Sequence, residues 1–286
     1  MRILIIGGTR FVGRHIVESA VAHGHQVTLL HRGTSGDDPF PHCEHLHLDR
    51  DGDLSVLSDR SFEAVIDVSA YVPRQVNSLA DALGDRAGRY LFISTVSVYD
   101  LPAETPFDEN GALTAVPSDP TTEDVTEETY GGLKVLCERA ARERFGDRLT
   151  IVRPTYVVGP FDYTHRFTYW VERLARGGEV LAPAPSDAWL QIIDARDQAT
   201  FVVRLLEDDV DGTALPLWDE SGEESGAPAL PDAALAAGLD SRPVGQTARE
   251  LLDAERAEPT IDAYGVGLTP EREAELLTAW HAHTPR

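Results

Sequence analysis

The stretch RILIIGGTRFVGRHIVE, Arg2 to Glu18, decides the fold. Arg2–Ile6 is a short apolar run of strand type, and Phe11–His23 carries the apolar spacing of a helix that Gly24 stops. Between them stand Gly7, Gly8 and Gly13. Glycines in a strand-to-helix turn allow a tight reversal and let the main chain approach a pyrophosphate held on the helix N-terminus. A plain turn needs no such cluster. The segment Gly7, Gly8, Thr9, Arg10, Phe11, Val12 and Gly13 is therefore expected to cradle a dinucleotide.

Outward from this turn, short apolar runs alternate with helical patterns. Strands are predicted at Gln26–Leu30, Glu44–Leu48, Ala64–Val68, Tyr90–Ser94 and Leu149–Val152, and helices at Pro73–Leu83 and Thr129–Phe145. Such alternation makes a parallel sheet covered on both faces, and right-handed crossovers make it doubly wound. The expected class is α/β and Rossmann-like. A dinucleotide-binding domain is expected over residues 1–152, and a smaller substrate-facing part, partly interleaved with the sheet, over 153–286. The rhythm fails at Asp100–Glu128, a long acidic connection of the kind that is functional or mobile, and at Asp219–Pro231, which reads as a flexible linker. Two amphipathic helices follow, around Thr247–Ala257 and Pro270–His281.

The tip of the second strand selects the dinucleotide. A carboxylate there would accept from the ribose hydroxyls and signal NAD. LLHRG places His31 and Arg32 there instead, with Arg10 close by in the glycine turn. Guanidiniums fork phosphate well, so NADP(H) is favoured over NAD(H). Asp49, ending the third strand, is either a ligand of the adenine amino group or a solvated strand-end acid.

YGGLK, Tyr130 to Lys134, holds the only lysine of a chain with 25 Lys plus Arg. At i and i+4 the two side chains project from one face of a helix. An unperturbed tyrosine titrates near pH ~10, too high for proton exchange at neutrality. A nearby ammonium and the positive charge of a nicotinamide favour the phenolate. Such a tyrosine exchanges a proton with an alcohol or carbonyl while hydride moves to or from nicotinamide. Gly131 and Gly132 each cost a helix about 1 kcal/mol relative to alanine, so the main chain is expected to lie against cofactor or a neighbouring strand there. FISTVSVYD adds Ser94, Thr95 and Ser97 as hydroxyls facing the cofactor.

These residues resemble the extended short-chain dehydrogenase/reductase family, also called the NAD-dependent epimerase/dehydratase family. The likeness runs from GGTRFVG through FISTVSVY, YGGLK and IVRPTYVVGP to about Leu217. It implies Tyr130 as acid/base, Lys134 as its activator and ribose ligand, and Thr95, counted back from Tyr99, as the hydroxyl that holds the substrate oxygen. It implies Pro154 beside the nicotinamide, and Ser69, Ala70 and Tyr71 of DVSAY along the cofactor groove. Tyr71, Tyr156, His165 and Arg166 become candidate substrate contacts, although YTHRFTYW reads equally as an aromatic helix face packing the core.

Three departures narrow the reading. Arg10 replaces the family's central turn glycine, which opposes left-handed backbone there. Val96 and Ser97 follow Thr95 where sugar-nucleotide 4,6-dehydratases carry Asp-Glu, against dehydration. Leu190 stands where nucleotide-sugar enzymes place an arginine before the segment resembling QIIDARD, against a UDP- or dTDP-sugar unless Arg166 or Arg196 substitutes. The GGTRF opening is also similar to that of a branch that includes chloroplast stem-loop RNA-binding proteins.

The net charge of -23 repels polyanions and argues against nucleic acid. It fits either solvation in high salt or the codon bias of a GC-rich genome. No apolar run approaches the ~20 residues of a membrane span. The two cysteines, Cys43 and Cys137, lie far apart as in a reducing compartment, and the expected location is cytoplasmic. HCEHLHLD puts Cys43, His45 and His47 on one strand face, a zinc-like geometry, but a packed third strand makes no metal the expectation. The expected function is an NAD(P)-dependent oxidoreductase or epimerase acting on a secondary alcohol or carbonyl of a small sugar-like substrate, with a homodimer as an option. The alternatives are a non-catalytic NADP(H)-sensing or scaffold protein and, third, an RNA-binding member of the same fold.

Overall fold

Runs such as ILII and AVI are apolar on both sides of a strand, and only a sheet covered on both faces can bury them. In a computed structural model, which describes residues 1–34, 39–100, 106–182, 190–208, 214–217, 230–260 and 266–283, they lie at its centre. The elements run β1 (Arg2–Ile6), α1 (Phe11–Ala22), β2 (Gln26–His31), β3 (Glu44–His47), β4 (Phe62–Asp67), α2 (Pro73–Leu83), β5 (Ala87–Ile93), α3 (Glu127–Phe145) and β6 (Leu149–Pro154). Then come β7 (Tyr156–Val158), α4 (Arg166–Ala175), β8 (Ile192–Asp194), α5 (Ala195–Glu207), β9 (Ala214–Leu217), α6 (Asp232–Ala236), α7 (Val244–Ala257) and α8 (Pro270–His283). Of the expected linker Asp219–Pro231, residues 219–229 lie outside the described residues. Among the described residues no helix is long and apolar enough to cross a membrane.

The sheet has the order β3-β2-β1-β4-β5-β6-β9, parallel throughout. Strand alternation splits its core in two. Ile3, Ile5, Leu29 and Ile66 pack with α1 and α5 on one face. Leu4, Ile6, Leu30, Val65, Tyr90 and Phe92 pack with α2 and α3 on the other. The strand order reverses between β1 and β4, and the carboxyl ends there are where doubly wound sheets bind ligands.

The chain divides into two compact units. One holds everything to Val157 together with β8, α5, β9 and α6; the other holds α4, α7 and α8. The expected boundary at 152 thus falls inside β6, which continues through Arg153 to Pro154. The chain also returns to the first unit, because α5 covers the same sheet face as α1. In the second unit, Arg173 of α4 and Glu273 of α8 are both buried and pair at 2.5 Å.

Helix α3 starts with a reciprocal capping box between Thr126 and Thr129, with Glu127 and Glu128 in its first turn. Its two glycines are explained by neighbouring loop backbone. A Cβ at Gly131 would collide with Ser97 O, and one at Gly132 would lie 2.6 Å from Ala115 O. The chain segments around 97 and 115, neither cofactor nor strand, press on the helix here. This close approach fixes Tyr130 against the loop that carries Thr95.

Candidate active site

Gly7 has φ +89, and a Cβ at Gly13 would collide with Gly7 O. Both positions therefore require glycine. Arg10 sits at the helix N-cap with φ -132, ordinary extended backbone, so the missing central glycine costs nothing. The non-glycine residue of this turn at positive φ is Phe11, at φ 38. No side chain caps α1 and its first turn has no acid, in contrast to α3. A helix start with that composition suits an anion such as a pyrophosphate.

At the far end of this cleft, His31 closes β2 and Arg32 and Arg10 are both exposed. Asp49 is exposed and accepts Asp51 N at 3.0 Å, which gives the strand-end acid a local turn role. Ser69 Oγ accepts from Arg50 Nη1 at 3.2 Å.

Arg50 belongs to a buried cluster that sequence reading missed. It forks Asp67 at 2.7 and 2.9 Å, and Tyr90 Oη donates to Asp67 Oδ2 at 2.8 Å. Burial alone would raise the Asp67 carboxyl, but the guanidinium beside it holds it below the ordinary range.

Lys134 is buried and Nζ donates to Ala70 O at 2.9 Å and Ile93 O at 2.8 Å, tying the carboxyl ends of β4 and β5. The ammonium also lies 4.1 Å from the Phe92 ring centre and 5.8 Å from that of Tyr71. The Tyr71 ring is in turn 6.4 Å from the ring of Tyr130. One aromatic ring thus neighbours both members of the pair. Two of the three ammonium donors are used by main-chain carbonyls, which leaves one for a ligand.

Burial lowers the Lys134 pKa to about 8. Below that value folded and unfolded chains both carry the proton, and the folded state bears the cost of burying it. Between about 8 and 10.5 the folded lysine is deprotonated first, so this penalty shrinks as pH rises. Wild type should gain stability relative to Lys134→Met between neutral and alkaline pH, measured as paired urea midpoints. A constant difference would contradict a buried ammonium.

Thr95, just past the end of β5, is buried and its Oγ1 accepts Ser97 N at 3.2 Å. The Ser94 hydroxyl, expected to face the cofactor, donates to Glu138 Oε1 at 2.6 Å. Glu138 also takes a fork from Arg153 at 2.9 and 2.6 Å, and Arg153 Nη1 donates to Tyr99 Oη at 2.8 Å. All three of Ser94, Glu138 and Arg153 are buried. The signal for Glu138 was present, since it continues the i, i+4 series of Tyr130 and Lys134 on α3. Pro154 is buried at the end of β6, and Tyr156 beyond it is 44% exposed.

A cleft of about 460 Å³ opens beside Tyr130, lined also by Ser97, Thr114, Glu127 and Glu128. Arg196, in the first turn of α5, forks the N-cap Asp194 at 2.9 and 2.6 Å and so is occupied there. Leu190 is 54% exposed. His165 and Arg166 lie in the second unit. There His165 caps α4 with φ +53, and Arg166 Nε donates to Thr164 Oγ1 at 3.2 Å. The Tyr169 ring packs against Gly267, the helix-packing alternative for this aromatic stretch.

Residues 3–215 match the NAD dependent epimerase/dehydratase family, and the chain belongs to that family. The chloroplast stem-loop binding protein of 41 kDa b from Arabidopsis thaliana is 29% identical over 221 residues, covering 72% of this chain and 55% of that protein. The chain spans about half the length of the curated relatives it matches. Two solved structures share the fold. The Bordetella bronchiseptica enzyme WbmG in complex with NAD has TM-score 0.70 at 17% identity, over 92% of this chain and 96% of that one. Yeast methylglyoxal/isovaleraldehyde reductase Gre2 complexed with NADPH has TM-score 0.70 at 15% identity, over 91% and 100%. The family match over residues 3–215 spans the glycine turn, the Tyr130 helix and β6.

Proposed function

We propose that this chain is an NADP(H)-dependent oxidoreductase, or an epimerase working by transient oxidation, that acts on a secondary alcohol or carbonyl of a small sugar-like molecule. The observation that carries this reading is the grouping of Tyr130, Lys134, Tyr71 and Thr95 at the carboxyl ends of β4 and β5, next to the Gly7–Gly13 turn. A nicotinamide dinucleotide bound along that edge would supply or accept hydride. Thr95 holds the substrate oxygen, and Tyr130 takes the hydroxyl proton in oxidation or returns it in reduction. Lys134 favours the phenolate by its charge and offers its third donor to the ribose. Leu190, where nucleotide-sugar enzymes place an arginine, supports a substrate without a diphosphate.

NADP(H) over NAD(H) rests on Arg32 and Arg10, exposed around the tip of β2. A hydrogen bond to a charged group is worth ~1.5–3 kcal/mol. Arg32→Ala should therefore weaken NADPH about 10–100-fold and leave NADH nearly unchanged, read by parallel titrations. Equal losses for both would refute the phosphate assignment.

A dinucleotide-binding protein without chemistry has one observation on its side, the two main-chain carbonyls that engage Lys134. Screening sugar-like ketones and alcohols for NADPH oxidation or NADP+ reduction separates the two. Binding without turnover across the panel would favour the rival. The name of the Arabidopsis relative suggests nucleic acid, against which the charge of -23 weighs here.

A further inference from the structure

At the edge of the sheet, β2 and β3 bring three imidazoles together. His31 and His47 are register partners, and His45 stands two residues earlier on the same strand face as His47. Ring centres are 4.8 Å apart for His31–His47, 5.1 Å for His31–His45 and 5.9 Å for His45–His47. One nitrogen from each ring lies within 4.8 Å of the other two. His45 Nε2 lies 2.8 Å from Phe40 O, which only an N–H satisfies, so His45 Nδ1 carries a lone pair. That Nδ1 faces His31 Nε2 at 2.8 Å. A ring N–H donated to a main-chain carbonyl is the outer support that metal-binding histidines characteristically have.

We propose that His31, His45 and His47 form a transition-metal site, suited to a divalent ion such as zinc, cobalt or nickel. Three imidazoles select these ions over magnesium and calcium, which take oxygen ligands. Three protein ligands leave a fourth tetrahedral position for water. His31 is buried, His45 half-buried and His47 exposed on an edge strand, so the ion enters from the solvent side of β3.

The set differs from the one read in sequence, where Cys43 stood in place of His31. Cys43 packs against the core and burial raises its thiol, opposing the thiolate a metal needs.

One local change accompanies binding. His31 Nδ1 accepts Gly33 N at 3.2 Å, so its proton sits on Nε2. Ligation through Nε2 moves that proton to Nδ1 and turns the Gly33 amide away. Gly33 is at φ +69 and has no side chain to obstruct the turn. The test reads the metal alone and needs neither dinucleotide nor turnover.

The whole chain, stripped with chelator and then dialysed against micromolar zinc, should hold one zinc per chain by elemental analysis. Cobalt(II) should give the intense visible bands of a tetrahedral centre. His47→Gln alters an exposed side chain and should fold normally. It should weaken zinc by more than the roughly 10–100-fold typical of losing an outer partner. His42→Gln, a neighbouring exposed histidine outside the set, should bind as wild type. Zinc absent from wild type, or equal in wild type and His47→Gln, overturns the proposal.

Discussion

Tyr130→Phe should reduce turnover about 10²–10⁴-fold, the usual worth of a positioned acid/base, while dinucleotide affinity stays close to wild type. The substitution removes one oxygen and keeps the ring. Ring packing near Tyr71, at 6.4 Å, and the cap of α3 at Thr126 are both preserved. Loss of folding therefore does not account for loss of rate. The comparison is steady-state turnover on the best substrate of the screen, beside a dinucleotide titration of the same sample. Turnover retained in the variant removes Tyr130 from the chemistry.

Arg153→Met should destabilise the fold by about 3–5 kcal/mol, the range for leaving one charge of a buried pair without its partner. Arg153 and Glu138 have side chains 3% exposed and bond each other at 2.6 Å, with Ser94 and Tyr99 completing the network. Removing the guanidinium leaves the Glu138 carboxylate with the Ser94 hydroxyl in a low-dielectric interior. Adding Glu138→Leu should restore much of the loss, because two apolar side chains then replace the pair. Urea denaturation of wild type, Arg153→Met, Glu138→Leu and the double variant gives the coupling. Equal stability of wild type and Arg153→Met would mean that the pair is solvated in solution.

The parts of the fold that could be read in sequence are those set by local spacing. The Gly7–Gly13 turn was legible because a left-handed φ and a backbone approach closer than a Cβ allows leave glycine no substitute. Tyr130 and Lys134 were legible because a helix converts a spacing of four into one face. Contacts made by strands that meet only in the folded sheet were not. Arg50 and Asp67 come from different strand ends, and His31 meets His47 only through the register of β2 on β3. The bond from Ser94 to Glu138 was not legible, because the alternation of a strand end does not tell which hydroxyl turns toward Glu138. The return of α5 to the α1 face was expected only as a partial interleaving after 152, because it leaves no local mark in composition.

Titration of the purified chain with NADPH, followed by the change in reduced-nicotinamide fluorescence, tests the central claim most directly. Saturation at one NADPH per chain, with NADH weaker, is the predicted outcome. No fluorescence change up to millimolar NADPH or NADH would contradict a nicotinamide site between the glycine turn and Lys134.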